Sequence, residues 1–323
     1  MNQNLQLCAL LVIGCMPLDA MSQVFTVGAQ FEPPSESLNM FGFDGELLQQ
    51  TDVPELVYSM VAYGDRILGT SSRTVLEFDR AGNYVGVFAT VPNDGEDPRV
   101  TFIESDEAGN VYLRFAWDGG EPLTSYRLNP NGEISQTFAH PELTNLDGID
   151  AGPDGTTYIL QRNDLYAFDL DGDLKDVFEL PEIDGAHEFT ISESLNELYV
   201  SDEIGKAIHI YDLASGTPIH LSSIPTIHNT GGIFVEPTSH RIFATAHYNS
   251  ADTLPWGASY GFEMDRSGNI LARFTYEDQQ ILGASDIVAF VPEPSCWLLA
   301  LVSWMSIAVV RRREEILRAN FNE

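Results

Sequence analysis

The chain has 323 residues and a formal net charge of −32 at pH 7, from 16 basic and 48 acidic residues. Such a surface repels phosphate backbones and anionic lipid headgroups, which argues against a nucleic-acid-binding protein and against a peripheral membrane protein. It suits solubility in salty surroundings and can attract cations such as Ca²⁺. Three cysteines, Cys8, Cys15 and Cys296, lie close to the two ends. The region between them therefore has to fold without a disulfide.

An export signal is the first predicted element. Residues 5–14 form a largely apolar run, which has the length of a signal-peptide core and is too short to span a membrane. Small residues follow at Ala20 and Ser22, so cleavage is predicted there and the signal peptide covers residues 1–22. A second interpretation is a lipoprotein signal, because Val12-Ile13-Gly14-Cys15 fits a lipobox that would be lipidated at Cys15.

Six copies of a short turn pattern follow, in which an apolar residue precedes Asp or Asn and a Gly closes the turn. They are 43–45, 78–82, 128–132, 168–172, 211–216 and 264–268, and their glycines are 37, 50, 40, 44 and 52 residues apart. Gly supplies the positive φ that a tight turn demands, so each copy predicts two strands joined by a hairpin turn. The acidic residues at 169–173 alternate as in a calcium loop but lack the far-end glutamate of an EF-hand. We interpret them as another turn.

A second turn pattern precedes each of these copies and leads into a short apolar strand. Each unit thus contains four short strands, and a period of about 40–50 residues with four strands predicts an all-β fold, the β-propeller. Six hairpins predict six blades in residues 23–290, with seven blades as the alternative because the units around Gly132 and Gly268 are long. Residues 284–290 have the pattern of a first strand, and residues 24–53 that of the remaining strands. We therefore predict that the N- and C-terminal strands pair and close the ring.

One unit carries a motif that points to a family. Gly148-Ile149-Asp150, then Pro153-Asp154-Gly155, then Tyr158 resembles the blades of six-bladed NHL and gluconolactonase-like propellers. The resemblance implies the fold. In gluconolactonase-like proteins a metal held by Glu, Asn and Asp activates the hydrolysis of a lactone. The residues here do not reproduce that set in the matching blades, so the resemblance does not transfer the activity.

Polar residues recur where the innermost strand of each unit is predicted to begin, which is where propellers of this kind usually bind ligands. Asp147, His187, Glu188 and Asp286 are the predicted metal ligands. Carboxylates and imidazoles that converge on one axis could hold a divalent cation such as Ca²⁺. The alternative is that these four are solvated loop residues.

Four further residues are predicted to contact a ligand. His228 and Asn229 precede the pair Gly231-Gly232 near another strand start, and His247 and Trp256 flank a long loop. An exposed aromatic residue on a propeller loop could bind a sugar or a peptide, whereas a Trp that covers the end of the barrel would belong to the core.

The C-terminal segment predicts where the protein goes. Val291-Pro292-Glu293-Pro294-Ser295 is followed by an apolar stretch over 296–310 and by Arg311, Arg312 and Arg313. The prolines isolate this segment from the domain, and the arginines orient one transmembrane helix with residues 314–323 as a cytoplasmic tail. The segment, residues 291–313, resembles the PEP-CTERM sorting signal of Gram-negative bacteria. The resemblance implies processing by an exosortase after export across the inner membrane, and a destination at the cell surface or in the extracellular matrix.

These predictions favour a binding protein over an enzyme. The expected role is that of an interaction module whose partner, besides the exosortase, is an extracellular polysaccharide or an envelope protein. The alternative function is a metal-dependent lactone or ester hydrolase of gluconolactonase-like type, which would use the acidic residues at the strand starts.

Overall fold

The structure is a computed structural model and describes residues 23–28, 37–42, 44–55, 57–92, 100–106, 108–115, 123–144, 146–226, 229–247, 260–274 and 284–290. These residues form strands and turns, which confirms the all-β fold, and among them is no helix that could cross a membrane. Contacts divide the chain into Gln23–Phe290 and a second unit of Met1–Ser22 with Val291–Glu323. The second unit, with the predicted signal peptide, sorting motif, transmembrane helix and arginines, lies outside the described residues.

The strands, numbered in chain order, form six four-stranded sheets. Sheet 1 contains β24 (Ala284–Phe290), β1 (Gln23–Gly28), β2 (Ser37–Gly42) and β3 (Leu47–Asp52). Sheet 2 contains β4 (Met60–Tyr63), β5 (Arg66–Ser71), β6 (Thr74–Asp79) and β7 (Tyr84–Thr90). Sheet 3 contains β8 (Val100–Ser105), β9 (Val111–Phe115), β10 (Thr124–Leu128) and β11 (Ile134–Ala139). Sheet 4 contains β12 (Gly148–Ala151), β13 (Thr157–Gln161), β14 (Asp164–Phe168) and β15 (Leu174–Glu179). Sheet 5 contains β16 (Ala186–Ser192), β17 (Glu197–Asp202), β18 (Ala207–Asp212) and β19 (Ile219–Pro225). Sheet 6 contains β20 (Asn229–Val235), β21 (Ile242–His247), β22 (Tyr260–Met264) and β23 (Ile270–Phe274).

The sheets are arranged as a propeller around their first strands. The inner strands β4, β8, β12, β16, β20 and β24 each contact the next inner strand, and β24 also contacts β4. The C-terminal strand β24 pairs with the N-terminal strand β1 in antiparallel register, with Val24 opposite Ala289 and Phe25 opposite Val288. The β-propeller predicted from the repeat is therefore confirmed, and its first sheet is assembled from both ends of the described region.

The glycines of the six turn copies lie between the third and fourth strands, with φ between 76° and 84°. In the copy at 169–173, Gly172 N donates to the Asp169 carbonyl over 3.0 Å, and Asp169 Oδ1 accepts from the N–H groups of Asp171 and Asp173. The carboxylate thus organises the turn by bonding to its own loop. The interpretation of this acidic run as a hairpin turn is confirmed.

The core lies between neighbouring sheets, because the second and third strands bury both faces. Residues 157–160 of β13, for example, are all buried. Between sheets 4 and 5, Leu160 and Leu165 pack with Leu198 and Val200 in one apolar cluster. Burying a side chain of this size stabilises the fold by about 1.5–3 kcal/mol. The fourth strands are largely exposed, which restricts the apolar core to the inside of the ring.

Polar side chains link the inner strands to one another. Ile103 N donates to Ser59 Oγ over 3.3 Å, Ile191 N donates to Asp150 Oδ2 over 2.6 Å, and Ile233 N donates to Glu188 Oε1 over 3.2 Å. In each case a residue near the inner strand of one sheet accepts from the inner strand of the next. An inner strand has no neighbouring strand on its axial side, so these side chains satisfy N–H groups that would otherwise be buried without a partner.

Candidate functional site at the ring entrance

The predicted site residues that are described lie near the starts of the inner strands. Because the inner strands occupy equivalent positions in their sheets, their starts lie at one end of the ring, which we call the entrance. Asp147 directly precedes β12, His187 and Glu188 are the second and third residues of β16, and Asn229 begins β20. His228 and Trp256 lie outside the described residues, as do the side chains of His247 and Asp286.

Glu188 holds two sheets together at the entrance. It is 4% exposed, and its Oε1 accepts the hydrogen bond from Ile233 N in sheet 6. Its backbone N–H donates to Ser201 Oγ, and the Ser201 hydroxyl donates to the Glu188 carbonyl, both over 3.1 Å. Glu188 therefore has a structural role that explains why an acidic residue is buried at this position.

Asp147 caps the turn between β13 and β14 and still faces solvent. Its N–H donates to the Leu160 carbonyl over 2.7 Å, and its Oδ2 accepts from the N–H of Arg162. Arg162 has φ +59°, so the carboxylate stabilises a turn that a residue with a side chain rarely adopts. Burial raises the pKa of Asp147 to about 6, against the opposing effects of the Arg162 N–H and the Arg114 charge. A carboxyl group with this pKa exchanges its proton close to neutral pH.

Arg114 is a further candidate site residue, which the sequence patterns did not indicate. It lies near the end of β9, and its guanidinium carbon stands 5.5 Å from the centre of the Phe102 ring. Burial lowers the pKa of Arg114, while the charges of Asp147 and Glu188 raise it. The Arg114 side chain is nevertheless only half-buried by solvent contact.

The guanidinium of Arg114 has few polar partners. Its Nε is buried without a hydrogen-bond partner, and the ion pairs found among the described residues do not include Arg114. Packing on Phe102, a cation–π contact, holds the group in place instead. The only sequence signal was a charged residue directly after the apolar run Val111-Tyr112-Leu113, which is too common a pattern to identify a site.

The start of β20 adds a group of buried polar atoms. Asn229 Oδ1, Thr230 Oγ1 and Thr245 Oγ1 are buried and have no hydrogen-bond partner among the described residues. Asn229 Nδ2 donates to Glu203 Oε1 over 3.4 Å. The register of β20 against β21 shifts between Thr230 and Ile233, so Gly231-Gly232 forms an irregularity at which backbone pairing is interrupted. Asn229, predicted as a ligand contact, is thus a buried residue at the entrance.

The described residues contain no group of three or more His, Cys, Asp or Glu side chains placed to hold a metal ion. The carboxylates of Asp147 and Glu188 accept backbone N–H bonds, and both lie within electrostatic reach of Arg114. A cation would be repelled by that guanidinium. Because the side chain of Asp286 is not described, the four-residue calcium site stays a prediction.

Comparisons with known proteins agree on the fold. No model of a known protein family matches the chain, and no curated protein matches it. A protein of unknown function from Bacteroides caccae superposes with a TM-score of 0.64 at 13% identity, over 84% of this chain and 99% of that one. A chain of a nidogen/laminin complex gives 0.62 at 11%, over 83% and 98%. A "putative 6-phosphogluconolactonase" from Bacteroides fragilis gives 0.54 at 15%, over 79% and 81%. At such identities the likeness shows a shared β-propeller fold alone.

Proposed function

We propose that the protein is a binding propeller that takes up a neutral, hydroxyl-rich ligand, a saccharide, at the ring entrance. The observation that carries this proposal is the pair formed by Arg114 and Asp147. Both side chains are half-buried, and each charge alters the pKa of the other group, yet they form no ion pair. The entrance thus has a hydrogen-bond donor, the Arg114 guanidinium, and an acceptor, the Asp147 carboxylate, that are not bonded to each other.

The chemistry of the pair suits hydroxyl groups. A guanidinium only donates hydrogen bonds and an ionised carboxylate only accepts them, whereas a sugar hydroxyl does both. Adjacent hydroxyls of one sugar ring can therefore accept from Arg114 and donate to Asp147. Hydrogen bonds to charged groups contribute about 1.5–3 kcal/mol each, so two of them provide a useful part of the affinity.

Charge favours a neutral saccharide over a phosphorylated one. Two carboxylates, Asp147 and Glu188, lie within electrostatic reach of the Arg114 guanidinium, and the whole chain carries −32. A phosphate group would be repelled by both the entrance and the surrounding surface. For this reason we do not extend the activity named for the Bacteroides fragilis neighbour to this chain.

The proposal includes a six-bladed ring and an extracellular location. Six sheets and the contact of β24 with both β20 and β4 support six blades over seven. The Pro-Glu-Pro motif, the apolar stretch and the three arginines support export, exosortase processing and an extracellular polysaccharide as the partner. Cell fractionation of the full chain and of a chain ending at residue 290 tests this part, because only the full chain should be retained at the cell envelope before processing.

The test is a titration of the full-length protein with neutral mono- and disaccharides such as glucose, galactose, mannose, cellobiose and maltose, followed by ligand-observed NMR. We expect saturable binding of at least one sugar, and loss of at least about tenfold in affinity in Arg114→Met, which removes a charged donor. Arg127→Met on β10 of the same sheet is the matched control and should bind as the wild type does. Absence of binding to every sugar, or equal affinity of the Arg114 variant, would contradict the proposal.

Hydrolysis of a lactone is the second candidate, because Asp147 is half-buried at the entrance and burial raises its pKa to about 6, so it can act as a base near neutral pH. Arg114 would then stabilise the negative charge on the carbonyl oxygen. The rate of glucono-1,5-lactone hydrolysis should rise through pH 6 as Asp147 ionises, and Asp147→Asn should abolish that rise. Equal rates for wild type and variant would rule this candidate out.

A further inference from the structure

Four side chains on sheet 5, none of which is proposed to contact the saccharide, are linked to one another by hydrogen bonds. Asp202 Oδ2 lies 3.3 Å from His209 Nε2, and His209 Nδ1 lies 2.9 Å from Ser223 Oγ. His220 Nε2 lies 3.0 Å from the same Ser223 oxygen. Asp202 is 1% exposed and His209 6%, whereas Ser223 is exposed. These hydrogen bonds therefore connect a buried carboxylate through an imidazole to a hydroxyl group at the surface.

Strand register brings these residues together. His209 on β18 lies directly opposite Ser223 on β19, which puts their side chains on the same face. The register shifts between Ile210 and Tyr211, so β19 has one extra residue between His220 and Ser223. A bulge of this kind returns residues three positions apart to one face, and the His220 ring reaches Ser223 and packs 5.3 Å from the Tyr211 ring.

The hydrogen bonds of Asp202 determine where the proton of His209 resides. The Asp202 carboxylate accepts from the N–H groups of Asp184, Gly185 and Gly205 over 2.7–3.0 Å. A carboxylate that accepts these bonds also accepts from His209, so the neutral imidazole carries its proton on Nε2 and its lone pair on Nδ1. The lone pair faces Ser223, and the Ser223 hydroxyl donates to it.

His220 and the backbone supply donors around the same hydroxyl. Because the Ser223 proton is directed at His209, the Nε2–H of His220 donates to the Ser223 oxygen. Thr226 N donates to the Lys206 carbonyl over 2.8 Å. Hydrogen-bonded and non-hydrogen-bonded residue pairs alternate along two antiparallel strands. Because Lys206 and Thr226 are hydrogen-bonded, His209 and Ser223, three pairs further along, are a non-hydrogen-bonded pair, and the N–H of Ser223 points away from β18. Since β19 is the outermost strand of its sheet, that N–H faces the free edge.

We propose that Ser223 is the nucleophile of an acyl-transfer site that reacts with carboxylic esters at the outer strand of sheet 5. The Ser223 oxygen attacks the ester carbon, and its proton passes to His209 Nδ1. Asp202 orients the imidazole and stabilises the imidazolium that forms. The Ser223 N–H is a donor for the carbonyl oxygen, which becomes negatively charged. The His220 Nε2–H is the second donor, because the Ser223 oxygen becomes a weak acceptor once it bonds to the ester carbon.

The second half of the reaction balances the first. The tetrahedral intermediate collapses, the bond from carbon to the leaving oxygen breaks, and His209 returns its proton to the departing alcohol. Water then attacks the acyl-serine with His209 as base, which releases the carboxylic acid and restores the hydroxyl of Ser223. The reaction requires an ester and water, and no other reactant.

A purely structural role accounts for Asp202 but not for the surface end of the chain. Asp202 stabilises backbone turns through three N–H groups, and its replacement would disturb the fold. Ser223 is exposed, so its hydrogen bonds to His209 and His220 contribute little to stability because water competes for them. Removing the Ser223 hydroxyl should therefore abolish acyl transfer and leave the stability of the fold nearly unchanged.

The test treats the full-length protein with a fluorophosphonate probe and with 4-nitrophenyl acetate, and locates the modified residue by peptide mass spectrometry. We expect the probe on Ser223 and a burst of 4-nitrophenol from the acylation step. Ser223→Ala should lose both, and His209→Gln should slow acylation about 100-fold by removing the general base. Thermal unfolding of each variant confirms that it is folded.

Ser222→Ala is the matched control, because Ser222 is the adjacent exposed serine and has no imidazole partner among the described hydrogen bonds. It should be labelled as the wild type is. Equal labelling of wild type and Ser223→Ala, or no more labelling of the folded protein than of the urea-unfolded one, would overturn the proposal. Labelling is measured without any saccharide and reports on sheet 5 alone, so failure here is distinguishable from failure of saccharide binding.

Discussion

Single carboxylates inside the ring act on their neighbours through backbone hydrogen bonds. Asp150 is 4% exposed, and its two oxygens accept from Ile191 N over 2.6 Å and from its neighbour Ala151 N over 2.7 Å. Burial raises the pKa of Asp150 to about 8, although both N–H groups act to lower it. Asp150 therefore links sheets 4 and 5, and its burial makes ionisation of its carboxyl group unfavourable.

The raised pKa of Asp150 predicts a pH dependence of stability. In the unfolded chain Asp150 ionises near pH 4, whereas in the folded protein it keeps its proton up to about pH 8. Its stabilising contribution is complete below the unfolded pKa and is lost as the pH rises through the folded pKa, with a slope of about 1.4 kcal/mol per pH unit for one proton. Urea unfolding between pH 5 and pH 8 should show a steeper decline for the wild type than for Asp150→Asn. Asp176→Asn, at an exposed position on β15, is the control, and equal slopes in the wild type and the Asp150 variant would contradict the account.

Residue patterns along the chain allowed only part of the site to be predicted. Asp147, Glu188 and Asn229 were predicted as ligand-binding residues because they precede or begin apolar runs. The structure places all three at the entrance, and their contact with a ligand stays a prediction. Arg114 was missed because its importance depends on the charges of Asp147 and Glu188, which come from other sheets. The pairing of His209 with Ser223 depends on a bulge, and a sequence pattern does not reveal where a bulge occurs.

At the scale of elements, the turns between third and fourth strands do more than reverse the chain. In sheet 3, Gly132 has φ +80°, and a Cβ atom built on it would lie 2.6 Å from the Phe88 carbonyl oxygen on β7 of sheet 2. Gly45 approaches the carbonyl of Arg273 in the same manner. These glycines are needed both for their backbone conformation and for the close contact of one turn with the outer strand of the preceding sheet.

This double requirement predicts the effect of Gly132→Ala. The added methyl group meets backbone rather than a movable side chain, and the positive φ is unfavourable for Ala, so the free energy of unfolding should fall by about 1–3 kcal/mol. Gly86→Ala on β7 is the control, because a Cβ there would meet nothing within 4 Å. Urea unfolding should show the control within about 0.5 kcal/mol of the wild type. A Gly132 variant as stable as the control would contradict the close packing of the turn.

The sequence predicted the secondary-structure elements best, because the Asp and Gly of a tight turn determine its conformation within a few residues. All six copies of the pattern proved to be turns between third and fourth strands. The antiparallel pairing of β24 with β1 also followed from the pattern, because each end of residues 23–290 contained an incomplete unit. Short local signals and the requirement to pair strand edges together specify the order of the strands.

At the scale of the whole molecule, exposed apolar side chains and net charge have opposite effects on association between copies. Many exposed large apolar side chains of the described residues lie on fourth strands, which also carry free sheet edges; they include Val85, Val87, Ile219, Leu221, Ile270 and Leu271. Such edges favour association between copies. The net charge of −32 opposes it through mutual repulsion. The acidic composition therefore has a physical use in keeping the rings apart, independent of any cationic ligand.

The central claim is that the ring binds a neutral saccharide at its entrance, and a crystal structure of the protein with the sugar that binds in titration tests it most directly. The account predicts density for the sugar at the starts of the inner strands, with one hydroxyl accepting from the Arg114 guanidinium and another donating to the Asp147 carboxylate. A sugar bound instead on the outer strands, or at the entrance without contact to Arg114, would contradict the account.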